Sequence, residues 1–89
     1  MQLPEDITAD LLRRLARIEG QVRGVQATLT DGRECREIVA QLSAVGKAVD
    51  QVGFKMLATG MAACLANPDV ASKSGFDLEE VERLFLKLA

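Results

Sequence analysis

Two stretches of this chain obey the same spacing rule. After Leu11 the apolar positions Leu15, Ile18, Val22, Val25 and Leu29 follow at steps of 4, 3, 4, 3 and 4 residues, and after Ile38 the positions Leu42, Val45, Val49, Val52 and Met56 repeat those steps. An apolar residue every ~3.5 positions is the pattern of a helix lying nearly parallel to other helices. The first helix is predicted over about residues 7–30, capped by Asp6 or Thr8. The second is predicted over about 34–65. Thr30-Asp31-Gly32 between them reads as a helix end and tight turn, with Gly32 suited to a left-handed position. Long helices joined by so short a turn fold back as an antiparallel hairpin. One hairpin cannot cover both seams, whereas two make a four-helix bundle, so a dimer is the smallest sensible unit.

Asn67-Pro68 ends the second helix, and the residues up to Gly75-Phe76 read as a polar connector. Asp77-Leu78-Glu79-Glu80 matches the acidic form of a capping box and opens a short third helix over about 77–88. Leu78, Val81, Leu84, Phe85 and Leu88 line one of its faces. Gly46, Gly53 and Gly60 recur every seven residues along the second helix. Each costs on the order of 1 kcal/mol in a helix interior, which points to an edge where another helix comes close.

The 89 residues make one domain, and 48% of them are apolar with no Trp, no Tyr and three Phe. Such an aliphatic core suits packed helices, and the fold class is all-α. A chain this short hides that much apolar surface best by self-association. No apolar run reaches the ~18 residues of a membrane span, and the acidic start Met1-Gln2-Leu3-Pro4-Glu5-Asp6 does not resemble a secretory signal. A cytoplasmic location is expected. The chain has no His, which removes the commonest metal ligand and general base. With no nucleophile–base pair and no phosphate loop, an enzyme is not expected.

Cys35 and Cys64 lie at opposite ends of the second helix, 29 residues apart. At ~1.5 Å per residue a continuous helix holds them ~43 Å apart, so they cannot meet within one chain. An antiparallel partner helix with its two-fold axis near residues 49 and 50 sets Cys35 of one chain against Cys64 of the other. Their helical phases agree to about 20°. Cysteines in a reducing compartment act as small buried hydrophobes or as reactive groups. Four-ligand zinc does not suit two thiols. Two-coordinate Cu(I) does, and so does sulfur exchange, in which one thiolate attacks an oxidised sulfur species and the second resolves it.

The formal net charge is −2, but a patch matters more than a total. Arg13, Arg14 and Arg17 fall within an arc of ~100° on the first helix, largely away from its seam. Arg23, Lys47 and Lys55 add charge outside the two seams. These residues suit a solvated helix face with ordinary ion pairs, and equally a broad surface for nucleic-acid phosphates. No helix-turn-helix, zinc-finger or basic-zipper pattern is present.

The run Arg14-Leu15-Ala16-Arg17-Ile18-Glu19-Gly20-Gln21-Val22-Arg23-Gly24 resembles the first-helix signature of the copper-sensing operon repressor (CsoR/RcnR/FrmR) family. Cys35, followed by Gln41-Leu42-Ser43-Ala44-Val45, resembles its second-helix signature. The resemblance implies a helical dimer that pairs into a homotetramer and leaves operator DNA when an inducer reacts. Arg14 falls at a DNA-contacting position of the family. A second such position holds Gln51, with Lys47 one turn before it. Copper-sensing members join the cysteine at the Cys35 position to a His and a Cys of another subunit, at positions that are Gly60 and Cys64 here. Nickel and cobalt sensors use several His, and formaldehyde-responsive members have Pro where Gln2 stands. What remains is similar to the CstR-like branch, which keeps the two cysteines and responds to persulfides. The expectation is therefore a repressor that binds DNA through Arg13, Arg14, Arg17, Lys47 and Lys55. It is released when Cys35 and Cys64 of adjacent subunits react with persulfide or polysulfide, with no cofactor. The alternative is a Cu(I)-responsive repressor or copper-binding dimer that uses the same two cysteines.

Overall fold

The computed structural model describes residues 3–73, 75 and 77–89 and, within them, every side chain but that of Val70. Gln2 and Phe76 lie outside the described residues. Four helices follow in order: α1 (Glu5–Thr30), α2 (Cys35–Ala66), α3 (Pro68–Lys73) and α4 (Leu78–Leu88). No strand occurs among the described residues.

Helix α1 begins earlier than its expected caps. Pro4 holds the cap position and its carbonyl accepts from the Thr8 amide at 3.0 Å, with no side-chain cap, so Asp6 and Thr8 lie inside the helix. Proline's fixed φ suits that place, and Glu5 and Asp6 in the first turn meet the positive end of the helix dipole. At the other end Gly32 takes φ 68°, its amide donating to Leu29 O at 3.1 Å while Arg33 N donates to Thr28 O at 3.3 Å. This pair of bonds is a Schellman stop, which requires the left-handed residue that glycine supplies. Arg33 then grips Glu37 through two bonds of 2.9 and 3.2 Å, fastening the turn to the first turn of α2.

The expected polar connector after α2 is instead partly helical. Asn67 ends α2, yet Pro68 begins α3, and the Ala71 amide donates to Asn67 O at 3.0 Å. The same three residues that stop one helix start another, because Asn is a good cap, Pro suits the first helical position and Asp69 suits the first turn. Asp77 caps α4 by accepting from the Glu79 amide at 3.3 Å.

Packing divides each seam in two. Leu11, Ile18 and Val25 of α1 are buried, whereas Leu15, Val22 and Leu29, which alternate with them, are exposed. On α2, Ile38, Val45 and Val52 are half-buried while Leu42, Val49 and Met56 are exposed. The uncovered seam positions keep between 37% (Met56) and 57% (Leu29) of their surface. The dimensions explain this. The molecule measures 55 × 25 × 15 Å, and a helix with its side chains is ~10–12 Å across. The chain is close to a single layer of helices, with no second layer to receive the other half of the seam.

Beyond the hairpin, α3 and α4 fold back on the end of α2. Cys64, Ala71 and Val81 form a buried cluster, with Leu3, Met61, Ala63 and Phe85 packed around it. Phe54 and Phe85 stack at 6.0 Å between ring centres. The glycine edge of α2 meets α4 at Gly53, where a Cβ would stand 2.7 Å from Leu88 Cδ1. Gly60 is buried, and Gly46 has nothing within 4 Å of such a Cβ.

Val81 is the fully buried member of the cluster, at 0% exposure. Val81→Ala is expected to lower stability by about 2 kcal/mol through lost burial and a residual cavity. The same change loosens α4 over Cys64, so alkylation of Cys64 by a small thiol reagent should accelerate while that of Cys35 stays unchanged. Mass mapping of the modified cysteines over time measures both.

Candidate functional site

The cations singled out in the sequence gather where α1 and α2 run side by side. Asp10, on the first turns of α1, accepts from Arg14 Nε at 3.0 Å and from Lys55 Nζ at 2.9 Å, both on Oδ2. Arg13 lies 3.7 Å from the other oxygen, Oδ1. Arg13 and Arg14 reach Asp10 because residues three and four apart on a helix share a face. Lys55 comes from the opposite helix, through the antiparallel register alone. One turn further along α1, Arg14 and Arg17 line a shallow groove of about 140 Å³ with Ile18, Gln21, Ala48 and Gln51. Lys47 is exposed on α2, and its spacing of four from Gln51, and of eight from Lys55, puts it on their stripe.

The structure thus brings Arg13, Arg14, Arg17 and Lys55 to one face, with Lys47 on the stripe that borders it. Gln51, which stands at a DNA-contacting position of the family that the chain resembles, belongs there, and so does Gln21, which has no separate signal in the sequence. Gln21 and Gln51 line the groove with the arginines and add neutral amide donors, a type of group that commonly contacts DNA backbone. Asp10 is the second omission in kind. An acid one turn before an arginine looks like an ordinary surface pair in sequence, and only its contact with Lys55 sets it apart. Among the described residues Arg17, Arg23 and Lys47 make no ion pair.

The charge around Asp10 sets its acidity. The Lys55 hydrogen bond first, and the Arg14 bond second, hold its carboxyl at about 2, down from 3.8. Both cations favour the ionised form.

The two thiols differ in surroundings. Cys35 is exposed as the first residue of α2. Cys64 is buried beneath α3 and α4 and borders a cavity of about 330 Å³ lined also by Leu65, Pro68, Ser72, Asp77 and Leu78. The unbroken α2 keeps them at opposite ends of the molecule. Gly60, one turn before Cys64, carries no donor atom. Among the described residues no group of three or more His, Cys, Asp or Glu side chains could hold a metal ion.

A second polar contact ties the hairpin near its turn. Gln41 Nε2 donates to Thr28 Oγ1 at 3.0 Å, and that hydroxyl donates to Gly24 O at 2.9 Å. The contact fixes the register that carries Lys55 to Asp10 further along.

The chain is a layer of long helices with a basic groove across two of them and a thiol at each end of α2. The family model described as metal-sensitive transcriptional repressor matches residues 8–87, and the chain belongs to that family. Among its relatives is the copper-sensing transcriptional repressor CsoR of Bacillus subtilis (strain 168), 38% identical over 74 residues, which are 83% of this chain and 70% of that protein. The copper-sensing transcriptional repressor RicR of Mycobacterium tuberculosis is 31% identical over 65 residues, 73% of this chain and 68% of that protein. No solved structure gives a significant match. No helix among the described residues is long and apolar enough to cross a membrane.

Asp10 supplies a direct test of the cross-helix register. Its folded value lies below the ordinary one, so the stabilising contribution of its ion pairs is fully present above about pH 4 and is lost as pH falls through about 2. Carboxyl carbon shifts followed by NMR should titrate near 2 in the native protein, and Lys55→Met should move that midpoint up toward 3.8. A native midpoint at 3.8 would show that α1 and α2 are not joined there.

Proposed function

We infer that this chain is an operator-binding repressor whose signal arrives at Cys35 of one subunit and Cys64 of another, with Cu(I) as the inducer that its relatives favour. The observation that carries the DNA reading is the groove holding Arg14, Arg17, Gln21 and Gln51 beside Lys55. Two arginines and two amides along one groove suit phosphate and sugar contacts, which position a protein on a duplex. The sequence carries no recognition-helix pattern, so affinity would come mainly from phosphates. The half-covered seams support a dimer. A second hairpin laid on Leu15, Val22, Leu29, Leu42, Val49 and Met56 supplies the missing layer, and two such dimers make the tetramer that the family resemblance implies.

The donor set suits Cu(I) in a site shared between chains. Cys35 and Cys64 would hold it, and the soft two-thiolate set selects Cu(I) over harder cations. The metal would supply a bond that joins two subunits; Cys35, Cys64 and the helix ends that carry them do the rest. Both relatives are named copper-sensing, which weights the choice toward Cu(I) over persulfide.

A specific observation keeps the sulfur reading as the second one. Gly60 is buried with no donor, and the chain has no His. Two thiols with no third ligand are also the minimum that persulfide chemistry requires. One thiolate takes the terminal sulfane sulfur of a polysulfide, releasing the shortened polysulfide as leaving group. The second thiolate attacks that persulfide. The product is a disulfide, with hydrosulfide released, or a longer bridge if a further sulfane sulfur is retained. The burial of Cys64 with Leu3 supports either signal reaching the DNA face, because Leu3 lies just before α1, the helix that bears Arg14 and Arg17.

Fluorescence anisotropy on the duplex upstream of the chain's own coding sequence tests the DNA reading. Arg14→Ala and Arg17→Ala should each flatten the dependence of log K on log salt by about one unit, with helicity unchanged. Binding that ignores both changes refutes the interface. Anaerobic titration of the protein–DNA complex with buffered Cu(I), beside a polysulfide titration, separates the inducers. Release by Cu(I) that is lost in Cys35→Ser and Cys64→Ser assigns copper. Release by polysulfide alone, lost in the same variants, assigns the sulfur reading.

A further inference from the structure

Asp10 is the odd member of the basic face. It is the acid toward which three of the face's cations converge, and it engages them from both helices: Arg14 at 3.0 Å and Arg13 at 3.7 Å from α1, Lys55 at 2.9 Å from α2. A carboxylate amid three cations presents what a DNA phosphate would present, an anionic oxygen shared by two donors. The bonds to Arg14 and Lys55 fall on the same oxygen. The groove with Arg17, which makes no ion pair among the described residues, begins one turn away. We propose that Asp10 is an internal competitor of DNA phosphate, which holds Arg14 and Lys55 in reserve and so raises the preference of the protein for its operator over other DNA. Asp10 itself touches no DNA in this scheme; it acts through the cations and is a positioning residue. The proposal rests on the DNA reading above and names how selectivity arises within it.

The physical argument compares two kinds of complex. On random sequence a protein is held by loose, hydrated contacts to the phosphate backbone. Such contacts do not outcompete bonds of 2.9 and 3.0 Å within the chain, so Arg14 and Lys55 stay with Asp10 and the non-specific complex forgoes them. On the operator, close docking sets phosphates within direct reach of both side chains, and the exchange from carboxylate to phosphate proceeds. The acid therefore weakens both complexes, and it weakens the non-specific one by whole contacts. Asp10→Asn keeps the side chain's size and an acceptor oxygen while removing the charge. In that variant the random-duplex complex gains the two cations.

The experiment measures affinity for the upstream duplex and for a random duplex of equal length, from 50 to 200 mM salt. For Asp10→Asn the salt slope on random duplex should steepen by about one to two units, with affinity there rising about tenfold at 50 mM. The slope on the upstream duplex should change less, and the ratio of the two affinities should fall several-fold. Asp10→Glu, which keeps the charge, should retain a wild-type slope and ratio. A role confined to stability would move the melting temperature and leave the salt slopes alone. Unchanged slopes and ratio in Asp10→Asn overturn the proposal and leave the DNA reading standing. Wild-type protein that binds neither duplex overturns both.

Discussion

The contact between α1 and α2 uses one of the two apolar positions in each seven-residue repeat, and the remaining architecture answers to that division. Leu11, Ile18 and Val25 are buried within the chain, while Leu15, Val22 and Leu29 stay at the surface. A layer 15 Å thick has no other place for them. Burial of a Leu or Val side chain is worth roughly 1.5–3 kcal/mol, so a row of such residues on both helices is a strong drive toward a second layer. The chain's other means of covering apolar surface, α3 and α4, is spent on the far end of α2. There it encloses Cys64 and leaves Cys35 open.

The helices were legible in sequence because their period is carried by many residues, and no single misplaced one disturbs it. The split of the seam was not legible. Leu11 and Leu15 are the same residue type, and nothing local says which faces the hairpin partner. The helix Pro68–Lys73 was missed because Asn67-Pro68-Asp69 carries stop and start signals together, and the small Ala71 that it buries gives no apolar period. The expected cap of α1 moved to Pro4 for a related reason: Asp6 suits a cap position and a first turn equally well. At the candidate site the arc of Arg13, Arg14 and Arg17 could be counted along one helix. The joining of Arg14 to Lys55 through Asp10 could not, since it depends on the register of two helices.

That register also reconciles an acidic chain with a basic face. The net charge of −2 is a sum over the whole molecule, whereas attraction to a polyanion is governed by what lies within a Debye length, ~8 Å at physiological salt. Many of the acids belong to α3, α4 and the loop between them, namely Asp69, Asp77, Glu79, Glu80 and Glu82. They cluster toward the end of α2 that holds Cys64. The acid beside the groove of Arg14 and Arg17, Asp10, is matched locally by Arg14 and Lys55, and Arg17 keeps its charge unpaired among the described residues.

In the proposed function, the placement of the thiols bears on how a signal at the ends of α2 would reach a groove in its middle. A ligand or a covalent bridge shifts an equilibrium only by interacting differently with its two states. Cys35 is exposed at a helix end, so bonding it strains nothing within its own chain. Cys64 is different. It sits with Leu3, Ala71 and Val81, so drawing its sulfur toward a partner must disturb the cluster that seats the start of α1. Helix α1 is continuous from Glu5 to Thr30 and is tied to α2 by Asp10 at one end and by Thr28 with Gln41 at the other. A stiff rod pinned at two points transmits a shift at its start along its length. The groove residues Arg14, Arg17 and Gln21 lie between those two contacts, so a strain at the start of α1 bears on them and on the Asp10–Lys55 pair beside them. In the proposed repressor, coupling between the thiols and the basic face would need no chain of special side chains, only a helix too rigid to absorb a movement at its end.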